Sequence, residues 1–129
     1  MRKIITFGTF DIFHIGHLNI LERAATLGEY LIVGVSTDQL NFSKKKKFPI
    51  YCEKSRLKII QSLKFVDRVF LEESLEDKRK YILQYEANAL VMGDDWRGKF
   101  DDLNDICEII YLPRTPSIST TEIIEIIKG

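Results

Sequence analysis

Cysteine is scarce in this sequence. Cys52 and Cys107 are the only two, 55 residues apart and in no CxxC pair. That spacing excludes a disulfide framework and a cysteine-built zinc site. Two free thiols are expected, buried as free cysteines commonly are. Long apolar runs are missing too. No stretch approaches the roughly 18 consecutive apolar residues of a membrane span. Met1-Arg2-Lys3 leads straight into a short apolar run, too short for the core of a secretory signal. A cytoplasmic protein is therefore expected. Net charge is absent as well: 19 Lys and Arg balance 19 Asp and Glu. This argues against a chain that wraps nucleic acid by bulk electrostatics. Histidine is scarce: there are only two, His14 and His17.

What is present is an ordinary globular balance, 45% hydrophobic and 29% charged over 129 residues. Disorder as the main state is excluded, and one domain, 1–129, is expected. The charge is unevenly placed. Residues 1–71 carry an excess of 6 positive charges, and 72–129 an equal negative excess. An anionic ligand would draw its positive partners mainly from the first half.

The apolar pattern alternates between short runs and helical spacing. Lys3–Phe7 is β-branched and ends at Gly8. Leu18, Leu21, Ala24 and Ala25 follow at helical spacing, and Gly28 stops them. Tyr30–Val35 is a second apolar run. Strand, helix, strand within 35 residues is a βαβ unit, hence a parallel sheet with a right-handed crossover. Ser43–Tyr51 reads as a polar loop, Glu53–Phe65 and Leu75–Tyr85 as helices, and Asp101–Ile106 as a short one. Strands are expected at Val69–Leu71, Ala89–Met92 and Glu108–Leu112. A last helix, Thr120–Lys128, carries the spacing of a capping box in Ser119 and Glu122. The fold class is α/β: one Rossmann-like open parallel sheet of five strands. Ligands are expected beyond the carboxyl ends of those strands.

Both histidines lie in Gly8-Thr9-Phe10-Asp11-Ile12-Phe13-His14-Ile15-Gly16-His17, where the first strand turns into the first helix. Glycine lets backbone approach a ligand, and a helix N-terminus offers free N–H groups and positive potential. Two imidazoles three residues apart share one side of a helical turn, from which both can donate to phosphate oxygens. A zinc site and a purely structural pair are the competing readings. Zinc requires a third protein ligand.

Gly8-Thr9-Phe10-Asp11 with His14-Ile15-Gly16-His17 resembles the HxGH motif of the nucleotidyltransferase superfamily. Arg114-Thr115-Pro116-Ser117-Ile118-Ser119-Thr120-Thr121 resembles the RTxGIST motif of its cytidylyltransferase branch. Ser36-Thr37-Asp38 and Met92-Gly93-Asp94-Asp95-Trp96 match between them. The likeness covers essentially the whole chain. It is strongest to the bacterial members that act on glycerol 3-phosphate.

The resemblance implies transfer of a cytidylyl group from CTP to a small phosphoalcohol, with release of pyrophosphate. A phosphate oxygen attacks the α-phosphorus in line. That nucleophile is already anionic, so no general base is required, and catalysis rests on positioning and charge neutralisation. By resemblance, His14, His17, Lys44 and Arg114 are catalytic. Gly8, Thr9, Phe10, Lys46, Asp95, Arg114, Thr115, Ser119 and Thr120 border the nucleotide, with His14 and His17. Asp11, Asp38, Lys44, Arg56 and Lys78 lie on the substrate side. Mg²⁺ rides on the triphosphate, with Asp11 orienting the site or the metal's water shell, or capping the first helix. A homodimer is implied, with a product serving wall or capsule polymers.

Plainer readings stand beside these. Lys44–Lys47 is a solvated charge run, Lys78 a surface charge, Ser119 a helix cap, and Trp96 packing at the sheet end. The chain also departs from the family. Ser117 stands in place of glycine, Lys64 in place of arginine, and Leu75 in place of a tryptophan. The changes at Lys64 and Leu75 touch the alcohol side or the subunit contact and not the histidine motif. Ser117 adopts a positive φ less readily than glycine, so the backbone path there is expected to differ. Another phosphoalcohol, ATP as donor, or a non-enzymatic nucleotide-binding module are the alternatives. Arg114–Thr121 favours cytidylyl over adenylyl transfer.

Overall fold

The computed structural model describes residues 1–114 and 119–129. Five parallel strands form one sheet in the order β3-β2-β1-β4-β5: β1 (Lys3–Gly8), β2 (Tyr30–Ser36), β3 (Arg68–Glu72), β4 (Ala89–Gly93) and β5 (Glu108–Leu112). The connecting helices are α1 (Ile15–Ala25), α2 (Asp38–Lys45), α3 (Glu53–Gln61), α4 (Lys78–Gln84) and α5 (Thr120–Lys128). All five strands read from the sequence are present. The chain leaves β1 toward β2 and β3, then returns to add β4 and β5 on the other side. The strand order therefore reverses between β1 and β4, the place where such sheets open a crevice.

Period-two burial splits the core into two layers. Ile4, Leu31, Val33, Val35, Ala89 and Val91 face Leu21 and Ala24 of α1 and Ile60 of α3. Ile5, Phe7, Ile32, Leu90 and Met92 face Ile82 of α4, Leu103 and Cys107. Central strands buried on both faces are why these segments read as unbroken apolar runs rather than as an alternation.

The sequence reading fails at one functional place. The expected loop 43–51 begins as helix, because α2 runs through Lys45 before Lys46 closes it in the left-handed region at φ 60°. Thr37 starts α2, its Oγ1 accepting from Leu40 N–H at 3.1 Å. Only Leu40 and Asn41 of α2 are buried, so the helix has almost no apolar stripe to signal it. Elsewhere the boundaries shift. α3 stops at Gln61, and the helix expected over 75–85 divides into a 3₁₀ turn at Leu75–Asp77 followed by α4. The one expected at 101–106 is a single 3₁₀ turn, Asp101–Leu103. Cys107 is buried as expected, whereas Cys52 is exposed; both are free.

Candidate active site

The carboxyl ends of β1, β4 and β5 and the N-termini of α1 and α5 meet at the switch point. Gly8 ends β1, and the Phe10 ring lies where a Cβ on Gly8 would sit, 2.7 Å away. Any larger residue there displaces Phe10 from the core. Phe10 (φ 56°) and Ile12 (φ 46°) both occupy the left-handed region. That costs each roughly 1 kcal/mol or more, strain of the kind stored at functional loops.

His14 and His17 form the entrance to α1. His14 is the N-cap, and its Nδ1 accepts from Gly16 N–H at 3.0 Å. His17 Nδ1 accepts from His14 N–H at 3.2 Å. The rings stack with centroids 3.8 Å apart. Both Nδ1 atoms accept, so each neutral ring carries its proton on Nε2 and has that N–H to donate. No acidic residue occupies the first turn of α1, so its positive end is uncompensated. Burial, followed by the field of His14, lowers the His17 pKa to about 3. Burial, followed by the field of Arg114, lowers that of His14. Two neutral donors therefore face the site, within the electrostatic reach of Arg114. Among the described residues no group of three His, Cys, Asp or Glu converges to hold a metal ion.

This lowered pKa has a consequence for stability. The unfolded chain takes up a proton at His17 near its ordinary pKa of 6.5, and the folded chain does so only near 3. The contribution is complete above pH 6.5 and is lost as pH falls through 3. Urea midpoints of the ligand-free protein are therefore expected to fall between about pH 7 and pH 4, and to fall less in His17→Gln. Equal slopes in the two proteins would contradict the assignment.

α5 closes the other side. Ser119 Oγ accepts from Glu122 N–H at 3.1 Å, so Ser119 does cap the helix. The complete capping box lies instead at α1, between His14 and His17. Thr120 Oγ1 donates to the Asp11 carbonyl at 2.8 Å, and Arg23 donates to the Pro113 carbonyl at 3.0 Å. The first contact brings α5 against the histidine loop, and the second ties the end of β5 to the last turn of α1. Thr115 and Ser117 lie outside the described residues.

Three of the substrate-side residues are engaged within the protein itself. Arg56 is fully buried. Its guanidinium donates to the carbonyls of Tyr51 (2.9 Å), Thr9 (2.9 Å) and Ser36 (2.7 Å) and to Asp38 Oδ1 (2.8 Å). It is a staple beneath the site, with little left to offer a substrate. Asp38 is its counter-ion and also accepts from Glu53 N–H, while Glu53 accepts from Asp38 N–H. Asp11 does not cap α1. Its buried carboxylate accepts the N–H groups of Ile12, Ile50 and Tyr51.

Lys78 is not a surface charge. It is buried, pairs with buried Glu72 at 2.6 Å, and lies 4.5 Å from the centroid of Phe7. Burial raises the Glu72 pKa against the pull of Lys78. Lys44 is close enough to feel both. Desolvation and Lys45 lower its pKa, and Glu72 raises it. Lys44 and Lys46 are exposed, in the last turn and at the cap of α2. Trp96 packs at the sheet end, 5.5 Å from Phe100 between ring centroids. Asp95 is exposed, and its Oδ1 lies over Gly93, 2.7 Å from where a Cβ would be.

Sequence reading missed Asn41 and Glu72. Asn41 is buried, accepts from Thr9 Oγ1 (2.9 Å), and donates to Ser36 Oγ and the Thr37 carbonyl. Nothing in a polar helix marks it. Glu72 had a signal: a carboxylate closing an apolar strand, with a lysine six residues on.

Comparison with known proteins shows the family and the fold. Residues 5–126 match the cytidylyltransferase-like family. The glycerol-3-phosphate cytidylyltransferase of Bacillus subtilis (strain 168) is 50% identical over 129 residues, covering 100% of this chain and 99% of that one. Its namesake from Staphylococcus aureus (strain NCTC 8325 / PS 47) is 44% identical over 123 residues, covering 95% and 92%. Among solved structures, a lipopolysaccharide core biosynthesis protein from Thermoplasma volcanium GSS1 superposes with a TM-score of 0.75 at 29% identity. The superposition covers 89% of this chain and 98% of that one.

Proposed function

Because the chain belongs to the cytidylyltransferase-like family, we propose that it transfers a cytidylyl group from CTP to glycerol 3-phosphate. The products are CDP-glycerol and pyrophosphate. One observation carries the chemistry: two neutral imidazoles, both with Nδ1 engaged by backbone N–H, at the uncompensated N-terminus of α1. Their Nε2–H groups donate to the triphosphate of CTP as negative charge shifts from the α-phosphorus toward the leaving pyrophosphate. Donors fixed in advance cost no reorganisation at the moment of reaction. Arg114 adds a full charge beside His14, and the N-terminus of α5 with Thr115, Ser119 and Thr120 borders the nucleotide.

A phosphate oxygen of glycerol 3-phosphate attacks the α-phosphorus. The bond to the β-phosphate oxygen breaks on the opposite side, and the pyrophosphate takes the electron pair. Lys44 meets the phosphate of glycerol 3-phosphate, and Lys46 the triphosphate. Gly8, Thr9 and Phe10 line the nucleotide's approach, and Asp95 offers it a polar contact.

Mg²⁺ carried on the triphosphate would supply charge neutralisation there, with few or no protein ligands of its own. The family likeness supports a homodimer with its subunit contact near the active-site end. It also supports a cytoplasmic location and a product passed to wall or capsule polymer synthesis.

The test is a panel assay of pyrophosphate release with Mg²⁺, each nucleoside triphosphate and several phosphoalcohols. Turnover is expected with CTP and greatest with glycerol 3-phosphate. Turnover with ATP alone, or with no pair, would overturn the reading.

A further inference from the structure

The connection between α2 and α3 carries Lys46 and Lys47 and then Phe48, Pro49, Ile50 and Tyr51. It begins at a left-handed residue and is largely exposed: Phe48 shows 57% and Ile50 63% of its surface. Phe48 stacks on Phe42 with centroids 4.7 Å apart. So little buried apolar surface leaves a segment that opens locally at small cost unless something fastens it.

The fastening is Asp11. Oδ2 accepts from Ile50 N–H at 2.7 Å, and Oδ1 accepts from Tyr51 N–H at 2.8 Å and Ile12 N–H at 3.1 Å. The same residue's carbonyl accepts from Thr120 Oγ1. On the far side, Arg56 Nε holds the Tyr51 carbonyl at 2.9 Å. Asp11 sits between the two left-handed residues Phe10 and Ile12, so its bonds also hold the strained loop that presents the histidines.

We propose that Asp11 is a positioning residue whose carboxylate fastens the lysine-bearing connection to the histidine loop, which the main-chain carbonyl of the same residue ties to α5, holding the two substrate sites as one unit. This deepens the cytidylyl-transfer reading and rests on it for the identity of the ligands. The carboxylate acts through three backbone amides and not by touching metal or substrate. Loss of Asp11 would separate Lys46 from the histidines while leaving both on a folded sheet.

Two measurements on the full chain without ligand test this. Amide exchange in the wild type is expected to be at least about tenfold slower at Ile50 and Tyr51 than at Lys47, although their side chains are exposed. In Asp11→Asn, an isosteric change that turns one acceptor into a donor, trypsin is expected to cut within Lys44–Lys47 about tenfold faster, with other sites unchanged. Freely exchanging amides at Ile50 and Tyr51 would overturn the proposal. So would an unchanged trypsin cleavage pattern in Asp11→Asn. Amide exchange and trypsin cleavage need no turnover, so failure of the cytidylyl-transfer reading would appear in the panel assay alone.

Discussion

Replacing His17 with alanine is expected to lower kcat by about a thousandfold, the scale of losing one pre-set donor to developing charge. The loss comes from two sources. The Nε2–H of His17 disappears, and so does the acceptor that holds His14 N–H at 3.2 Å. The His14 ring, stacked at 3.8 Å, then loses its orientation as well. His17→Asn should recover part of the second effect, because its amide oxygen can still accept from the His14 backbone. The split is read in kcat, with circular dichroism showing the fold intact. Activity within a few-fold of wild type in His17→Ala would remove the imidazole from the mechanism.

The second large effect concerns stability. Arg56→Met is expected to cost about 3–5 kcal/mol, measured by urea unfolding without ligand. The side chain is fully buried and supplies four hydrogen bonds, to three carbonyls and one carboxylate. Methionine fills much of the volume but leaves the Tyr51, Thr9 and Ser36 carbonyls without their donor and the Asp38 carboxylate, part-exposed, without its counter-ion. Since a domain of this size has about 5–15 kcal/mol in total, much of the population would unfold near body temperature. Arg56→Lys keeps a charge but not the fork, and should fall between. An unchanged urea midpoint, with only the KM for glycerol 3-phosphate raised, would return Arg56 to the substrate side.

The contrast between these two residues shows what the sequence could reveal. The five strands were legible because central strands of a parallel sheet are apolar on both faces, as Ile4-Ile5 and Leu31-Ile32-Val33 are. The histidine turn was legible because a glycine, a helix start and every histidine of the chain fall within ten residues. What failed was the direction in which charged side chains point. Arg56 and Lys78 look like ordinary surface cations on polar helices. Their burial depends on partners far along the chain or across the sheet end, Thr9 and Ser36 for one and Glu72 with Phe7 for the other. Asp11 failed for the same reason, since its partners lie 39 and 40 residues away. The excess of positive charge in residues 1–71 is thus only partly aimed at ligand. Lys44 and Lys46 are exposed at the carboxyl end of the sheet, whereas Arg56 holds the floor beneath them.

Isotope tracing tests the central claim most directly. Glycerol 3-phosphate carrying oxygen-18 on its phosphate, incubated with CTP, Mg²⁺ and the protein, is expected to give CDP-glycerol that retains all of the label and pyrophosphate that carries none. That pattern follows only if the alcohol's phosphate oxygen attacks the α-phosphorus. Label in pyrophosphate, or CTP consumed without a labelled CDP-alcohol, would contradict cytidylyl transfer at this site.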